Sequence, residues 1–539
     1  MRYRGFPNER LYIRAAPFAC LLLFWGIAVF NLNRFPMIHE DEPWILSPGY
    51  KLFTQGVYGS DLFTGFYHIE RIYLEFMPLM SWVQGALSRV YGIGVLQIRF
   101  FPVAAGLVTL ALTYKLGREL FSARVGITGL FLLLFWQWTP AGAKWFASGI
   151  PLVDLSRIAR YDILVAPLGL GALWCVIRAR GADNDTRPPQ RRYDLLGGLL
   201  SGLAALAHLY GLFWVLGLLA VYGLEAARGR SPRATAPRAA TFLLGAALLG
   251  SIWLAVIALN WQDFLGQNYQ YRDRFDLLSL RFFLENLIGE PRRYNLGVRD
   301  IATVARAGFW LLVVGLPASY LLLFKNARQG MERHALYLLA PTSVLAALFA
   351  LFVSTKQYNY VAPLVPLYAL IVAWAITQML SERRRWLRLT ARVAVLAVCI
   401  QGIWGLAQLQ LAASRVEAPE PTFAWLRAII PEPARVLGMP RYWLARPEQV
   451  YRSYVLLPQL TDPRIAPAPV SVSEALTRIA PTVVLADSDL LNVYTDRSSA
   501  ESRERSNQYA AFMLAHQARL IADIQDERGT RLQIFQLEP

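Results

Sequence analysis

Cysteine is scarce in this 539-residue chain. The three present, Cys20, Cys175 and Cys399, all fall inside apolar runs, where a thiol is a small buried hydrophobe and implies no disulfide. Charge is scarce as well: 17% of residues are charged and 55% are apolar, more apolar surface than a soluble domain hides in a core. No nucleic-acid-binding module accompanies the net charge of +17, so its basicity does not read as a nucleic-acid footprint. The first apolar run lacks a small-x-small cleavage pattern before its flank "NLNRF" and reads as an uncleaved anchor. What these absences leave is an α-helical polytopic membrane protein.

Windows of about 20 apolar residues, the length that crosses a bilayer core, lie near 15–33, 98–117, 124–140, 160–178, 193–209, 211–226, 238–259, 304–324, 335–354, 358–379 and 390–411. Lys and Arg in short loops mark the cytoplasmic side. The clusters are Arg2, Arg4, Arg10 and Arg14; Lys115, Arg118 and Arg124; Arg178, Arg180, Arg187, Arg191 and Arg192; Arg228, Arg230, Arg233 and Arg238; Lys325, Arg328 and Arg333; and Arg383, Arg384, Arg385, Arg388 and Arg392. Eleven spans put all of them inside. The same parity splits the block 193–226 into a hairpin at His208 to Gly211. It also lays "EFMPLMSWVQGALSRVYG", residues 75–92, in the outer interface, with Trp82 and Tyr91 as anchors. The pieces expected outside are 34–97, 141–159, 260–303 and everything after 412.

The expected division is a transmembrane domain, 1–411, followed by a small soluble α/β domain, 412–539. In the latter "VVLAD", "RLIADI" and "RLQIFQL" read as strands, "SVSEALTRI" and 498–518 as helices, and "DERGTR" as a turn. It carries no nucleotide fingerprint, no Gly-rich phosphate loop and no Cys or His cluster of metal spacing. Its expected role is to handle an acceptor or to be structural.

The first outer loop opens on "FPMIHEDEPW", with His39, Glu40, Asp41 and Glu42 in a row, and continues with Asp61, His68, Glu70, Arg71 and Glu75. A second ionisable set opens the fourth span: Arg157, Arg160 and Asp162 in "SRIARYDILVAPLG", of which the two arginines share a helix face. An Asp just inside a span is costly unless paired, which points to a salt-bridged or substrate-facing Asp162. Lys356, Tyr358 and Tyr360 occupy the turn between the ninth and tenth spans, and the loop 260–303 adds Tyr269, Tyr271, Arg272, Arg274, Arg292 and Arg293. Carboxylates and cations together at an outer leaflet suit transfer of a sugar from a polyprenyl-phosphate carrier to an acceptor hydroxyl. The hydroxyl needs a general base, and the departing phosphate needs Arg or Lys. The activated sugar arrives on a lipid, so no nucleotide-binding domain is required.

At these residues the sequence resembles the GT-C glycosyltransferases of the protein O-mannosyltransferase and lipid A aminoarabinose transferase type. The likeness covers about 1–411: the early pair Asp41-Glu42, the in-plane helices after it, "VLQIRFFPVAAGLVTLALTYKLGRELF", the opening Arg160-Tyr161-Asp162, and "KQYNYVAPLVPLYAL". The resemblance implies Asp41 as catalytic base with Glu42 supporting it, Asp162 as a second acidic position, and a polyprenyl-phosphate sugar donor. It also implies an active site outside a bacterial inner membrane, with a protein, lipid or glycan as acceptor. The aminoarabinose enzymes place a lysine before the proline of the in-plane helix, where "EFMP" here offers Phe76 and Met77. Donor binding is therefore expected from Arg157, Arg160, Asp162, His68, Arg71, Tyr269, Arg272, Arg274, Lys356, Tyr358 and Tyr360.

Other readings of the same residues stand beside these. The alternative for Asp41 and Glu42 is that they only cap a helix beginning at Pro43. Glu40, Asp41, His68 and Glu70 are candidates for a divalent metal ion, on an unspecific spacing. His208 reads as a packed or hydrogen-bonded histidine at a hairpin tip. A lipid-linked sugar transporter or flippase is the competing class, but the ionisable groups cluster away from the midplane and no internal repeat is visible.

Overall fold

An apolar run in lipid finds no water for its backbone, so it satisfies its own N–H and C=O groups by closing into a helix. In the computed structural model the described residues are 9–142, 147–180, 190–228, 232–274, 276–294, 301–526 and 529–538. Arg2, Arg4, Arg187 and Arg230 lie outside them, as do parts of the pieces 141–159 and 260–303. A helix stands at each of the eleven expected positions: Glu9–Val29, Val95–Leu120, Ala123–Phe135, Asp162–Ala179, Arg191–Ala207, Leu212–Ala227, Pro232–Leu259, Ala307–Arg328, Leu336–Phe352, Val365–Ser381 and Arg385–Ser414. The tenth begins later than the sequence suggests, because Tyr358–Val361 forms a tight 3-10 turn and Pro366 sits in the helix's first turn, where its missing N–H costs nothing.

The chain divides into two compact units. One comprises Met1–Phe30, Arg99–Ala255 and Arg274–Ala412, the other Asn31–Ile98, Val256–Asp273 and Ala413–Pro539. In the first, helix Asp162–Ala179 is mostly buried and packs along Arg191–Ala207. Helices Pro232–Leu259 and Arg385–Ser414 keep exposed rows, among them Leu244, Ile252, Leu254, Val393, Leu396 and Ile400, as lipid-facing helices do. Small residues let backbones touch without lipid between them: a Cβ on Gly198 would stand 2.0 Å from the Phe242 carbonyl oxygen. The block 193–226 is a hairpin, as its flanking arginines require. Its turn runs through His208 and Leu209–Gly211, where a Cβ on Gly211 would meet the Ala204 oxygen at 1.9 Å.

In the second unit, helix Asp41–Gln55 packs against helix Leu79–Tyr91, the segment expected in the interface. Gly49 and Gly85 form the crossing, since a Cβ on Gly85 would come within 2.3 Å of the Gly49 backbone. The sheet has the strand order β2-β1-β3-β5-β4. Strands β1 (Arg435–Gly438), β2 (Val450–Ser453) and β3 (Val483–Asp487) run parallel, while β5 (Arg531–Gln536) is antiparallel to β3 and to β4 (Arg519–Gln525). Buried Val436, Leu437, Val484, Leu485, Leu532 and Ile534 fill its core. Arg441, buried beyond the end of β1, holds Asp487 at 2.5 Å and Asp526 at 3.2 Å. Contacts tie this sheet to the acidic helix: Arg452 Nη1 donates to the Asp61 carbonyl at 2.7 Å, and the rings of Tyr50 and Trp443 meet edge-on at 5.6 Å.

Candidate functional site

Helix Asp41–Gln55 starts inside the acidic stretch, and its first turn separates the two adjacent acids. Glu42 is fully buried and turns back to accept the His39 N–H, just before the helix, at 2.9 Å. Both Asp41 and Glu42 stand in the first turn of the helix, whose N-cap residue is Glu40. Asp41 keeps 20% of its side chain exposed, with Oδ2 3.7 Å from His39 Nδ1.

Glu75 shares the charge environment of Asp41. It is buried, and it accepts three hydrogen bonds, from Trp44 Nε1 at 3.2 Å, Gln270 Nε2 at 2.8 Å and Tyr271 OH at 3.0 Å. Burial pushes its carboxyl up to about 8, the charge of Asp41 adds to that rise, and the donors pull against it. Trp44 packs on Phe63 and Phe76 at 4.6 and 5.6 Å between ring centres, which keeps water from the carboxyl. Sequence reasoning counted Glu75 as one loop acid among several and gave it no role. The one local signal was its place just before the proline of the in-plane helix.

The proposed cation site dissolves into local pairs. His68 Nδ1 stands 2.9 Å from Asp263 Oδ1, and Glu70 accepts the Gly65 N–H at 3.1 Å. Glu40, Asp41, His68 and Glu70 are therefore not a metal-binding set, and no group of three His, Cys, Asp or Glu suited to hold a metal ion occurs among the described residues. Arg71 is exposed. Arg272 stacks on the Tyr269 ring at 3.8 Å, on the same short helix, Tyr269–Arg274, that supplies Gln270 and Tyr271.

The remaining sequence candidates lie in the first unit, Arg274 at its edge. Arg157 is buried and caps the end of helix Glu9–Val29, donating to the carbonyls of Ile27, Ala28 and Phe30 at 2.8 to 3.0 Å. Arg160 Nε pairs with Asp162 Oδ2 at 2.9 Å, so Asp162 is salt-bridged as a carboxylate near lipid must be. Lys356 Nζ holds Glu290 at 2.8 Å, where Arg293 also binds. Tyr358 donates to the Gly149 carbonyl at 3.4 Å, and Ser354 donates to the Arg274 carbonyl at 3.2 Å. Tyr360 stands with His208 and Tyr210 around Asp162, His208 being 5.3 Å from Tyr360 and 4.4 Å from Tyr210 between ring centres. Burial lowers the pKa of His208 to about 4, so its ring is neutral.

No family model matches the sequence, and no curated protein matches it. Solved structures do match in fold. ArnT from Cupriavidus metallidurans bound to undecaprenyl phosphate superposes with a TM-score of 0.61 at 14% identity, covering 98% of this chain and 98% of that one. Archaeal oligosaccharyltransferase AglB from Archaeoglobus fulgidus, in complex with an inhibitory peptide and a dolichol-phosphate, gives 0.59 at 13% identity, covering 98% of this chain and 74% of that one. The Archaeoglobus fulgidus oligosaccharyltransferase tethered with an acceptor peptide gives 0.52 at 13%, over 98% and 74%.

Proposed function

We propose that this chain, which has the GT-C fold, is a membrane glycosyltransferase that moves a sugar from a polyprenyl-phosphate carrier to a hydroxyl of a protein, lipid or glycan. Two structures of like fold hold polyprenyl phosphates, undecaprenyl phosphate in one and dolichol-phosphate in the other, and this is the carrier class that the absence of a nucleotide motif already favoured. The observation that carries the chemistry is the acid arrangement of the second unit. Asp41 is partly open to solvent, while its neighbour Glu42 is committed to the backbone and Glu75 is buried.

Asp41 is the general base. It takes the proton of the acceptor hydroxyl as that oxygen bonds to the anomeric carbon; the bond from that carbon to the phosphate oxygen breaks, and polyprenyl phosphate leaves. A single displacement of this kind inverts the anomeric centre. Glu75, held near neutrality in protonation, keeps a second full negative charge away from Asp41 at neutral pH. The leaving phosphate needs a cation. Arg272 is assigned this role, because it lies in the second unit with Asp41 and on the same short helix as Gln270 and Tyr271, which hold Glu75. Purified protein in detergent, given undecaprenyl-phosphate sugars and hydroxyl acceptors, should release undecaprenyl phosphate and glycosylated acceptor. Transport of the lipid-linked sugar in proteoliposomes without release would overturn the reading in favour of a carrier.

A further inference from the structure

The base and the cation for the leaving phosphate lie on segments far apart in the chain, Asp41 at the start of helix Asp41–Gln55 and Arg272 on the short helix Tyr269–Arg274. Both residues belong to the second unit. What fixes one against the other is the loop that ends at Glu75, because Trp44 of the first helix and Gln270 and Tyr271 of the second all donate to that carboxyl. The loop is in turn gripped by helix Trp261–Gln267, which leaves Trp261 and Leu265 exposed and meets it through polar side chains and one glycine. A Cβ on Gly266 would stand 2.1 Å from the Tyr67 ring.

Gln267 is the centre of this contact and is fully buried. Its Oε1 accepts the Leu74 N–H at 2.7 Å, and its Nε2 donates to the carbonyls of Tyr67 and Ile72, each at 2.9 Å. A neutral carboxamide offers an acceptor and two N–H donors in one plane, so these three backbone groups call for this residue type. They lie 193 to 200 residues earlier in the chain. The bend they belong to is a costly one, since Tyr67 and His68 have φ of +43° and +53°, a region side chains rarely adopt. Such a bend persists only where its surroundings over-determine it. Gln267 at the Tyr67 carbonyl and Asp263, 2.9 Å from His68 Nδ1, supply that restraint.

The residue after Gln267 continues the clamp, with Asn268 Nδ2 donating to the Leu74 carbonyl at 3.1 Å. Leu74 is the immediate neighbour of Glu75. We propose that Gln267 is a positioning residue for the transfer: its carboxamide fixes the segment bearing Arg272 against the loop bearing Glu75, and so sets the distance between the base and the cation that receives the leaving phosphate. The inference rests on the transferase reading above and on the roles given there to Asp41 and Arg272. A displacement needs its attacking and departing oxygens in line, and a misplacement of about 1 Å costs about 100-fold. Methionine at this position fills a similar volume but leaves the three backbone groups unanswered.

The test measures kcat and KM, for the undecaprenyl-phosphate sugar that wild type turns over, with wild type, Gln267→Met, Asp41→Asn and the double variant. Gln267→Met should lower kcat by about 10- to 100-fold while KM for the donor stays within about threefold of wild type. Because both residues act on one step, Gln267→Met should cost less than about threefold more in a protein that already lacks the base. If Gln267→Met does not fold, Asn268→Ala removes the neighbouring tie and is read in the same way against Asp41→Asn. Unchanged kinetics, losses that multiply in the double variant, or a raised KM with kcat intact would mean that the amide serves the loop's fold alone, and the transferase reading survives. Wild-type activity in Asp41→Asn overturns the base assignment and this proposal with it. Absence of turnover by wild type on every donor overturns the transferase reading as well.

Discussion

At the scale of single residues the acidic stretch divides its labour by burial. Asp41 and Glu42 are neighbours in sequence, and chain order alone does not say which faces solvent; the helix start decides it, because the backbone N–H of His39 lies where Glu42 can reach it. Asp41→Asn preserves size and hydrogen bonding but removes the base, so turnover should fall by roughly 100-fold or more with donor binding retained. Glu40→Gln, one position earlier, should leave kcat near the wild-type value. Equal loss in both variants would move the base away from Asp41. Glu75 supports a different measurement. Its carboxyl is raised from an ordinary value of 4.5 to about 8, so between those values the unfolded chain releases a proton that the folded chain keeps. Stability therefore falls as pH rises through this window, and the loss is complete above the folded pKa. Glu75→Gln removes the linkage, so a plot of Tm against pH should be flatter for the variant than for wild type from about pH 5 to about pH 8. Parallel curves would mean that Glu75 ionises normally. None of this was readable locally, because two of the groups that hold Glu75 stand 195 and 196 residues further along the chain.

At the scale of elements, legibility followed length and repetition. Eleven apolar runs became eleven helices because each repeats one message over four or more turns, and basic loops at both ends of 193–226 forced the hairpin that is observed. Strands β3, β4 and β5 were also legible as short β-branched or aliphatic runs. Strands β1 and β2 were not: "RVLG" and "VYRS" have four residues each, too few to show a period, and pairing across the parallel sheet rather than local preference makes them strands. A basic residue likewise carries two meanings that sequence does not separate. Arg238 was counted as an orienting loop charge, yet it is buried, with Nε 3.1 Å from Asp194 and Nη1 2.7 Å from Glu225, and so joins helices Arg191–Ala207, Leu212–Ala227 and Pro232–Leu259. Arg238→Met would leave two buried carboxylates without their cation, a loss of about 3–5 kcal/mol by comparison with other broken buried pairs. The variant should melt well below wild type in detergent, and Arg238→Met combined with Asp194→Asn and Glu225→Gln should recover much of the difference. A single variant as stable as wild type would show that the cluster contributes nothing to joining the three helices.

At the scale of the whole molecule the open quantity is which side of the membrane each end of a helix faces. Helix Arg385–Ser414 has 30 residues, about 45 Å at 1.5 Å per residue, enough to cross the hydrocarbon and both interfaces. It begins at Arg385, directly after Arg383 and Arg384, and the chain continues from it into the sheet-bearing part of the second unit. If those arginines keep to the cytoplasm, everything from about 415 onward is outside, and with it the sugar transfer assigned to the second unit. This placement is chemically demanding, since a carrier displayed on the outer leaflet cannot be recharged there by a nucleotide sugar; the reaction that loads it must act on the other side. In a variant lacking Cys20, Cys175 and Cys399, a cysteine placed at Glu382 should be protected from an impermeant thiol reagent in intact cells and become reactive once they are permeabilised. A cysteine placed at Ala500, which begins an exposed helix, should react in spheroplasts before permeabilisation. The reverse pattern would put the acids at the cytoplasmic face and remove the reason for a lipid-linked donor, because nucleotide sugars are available there.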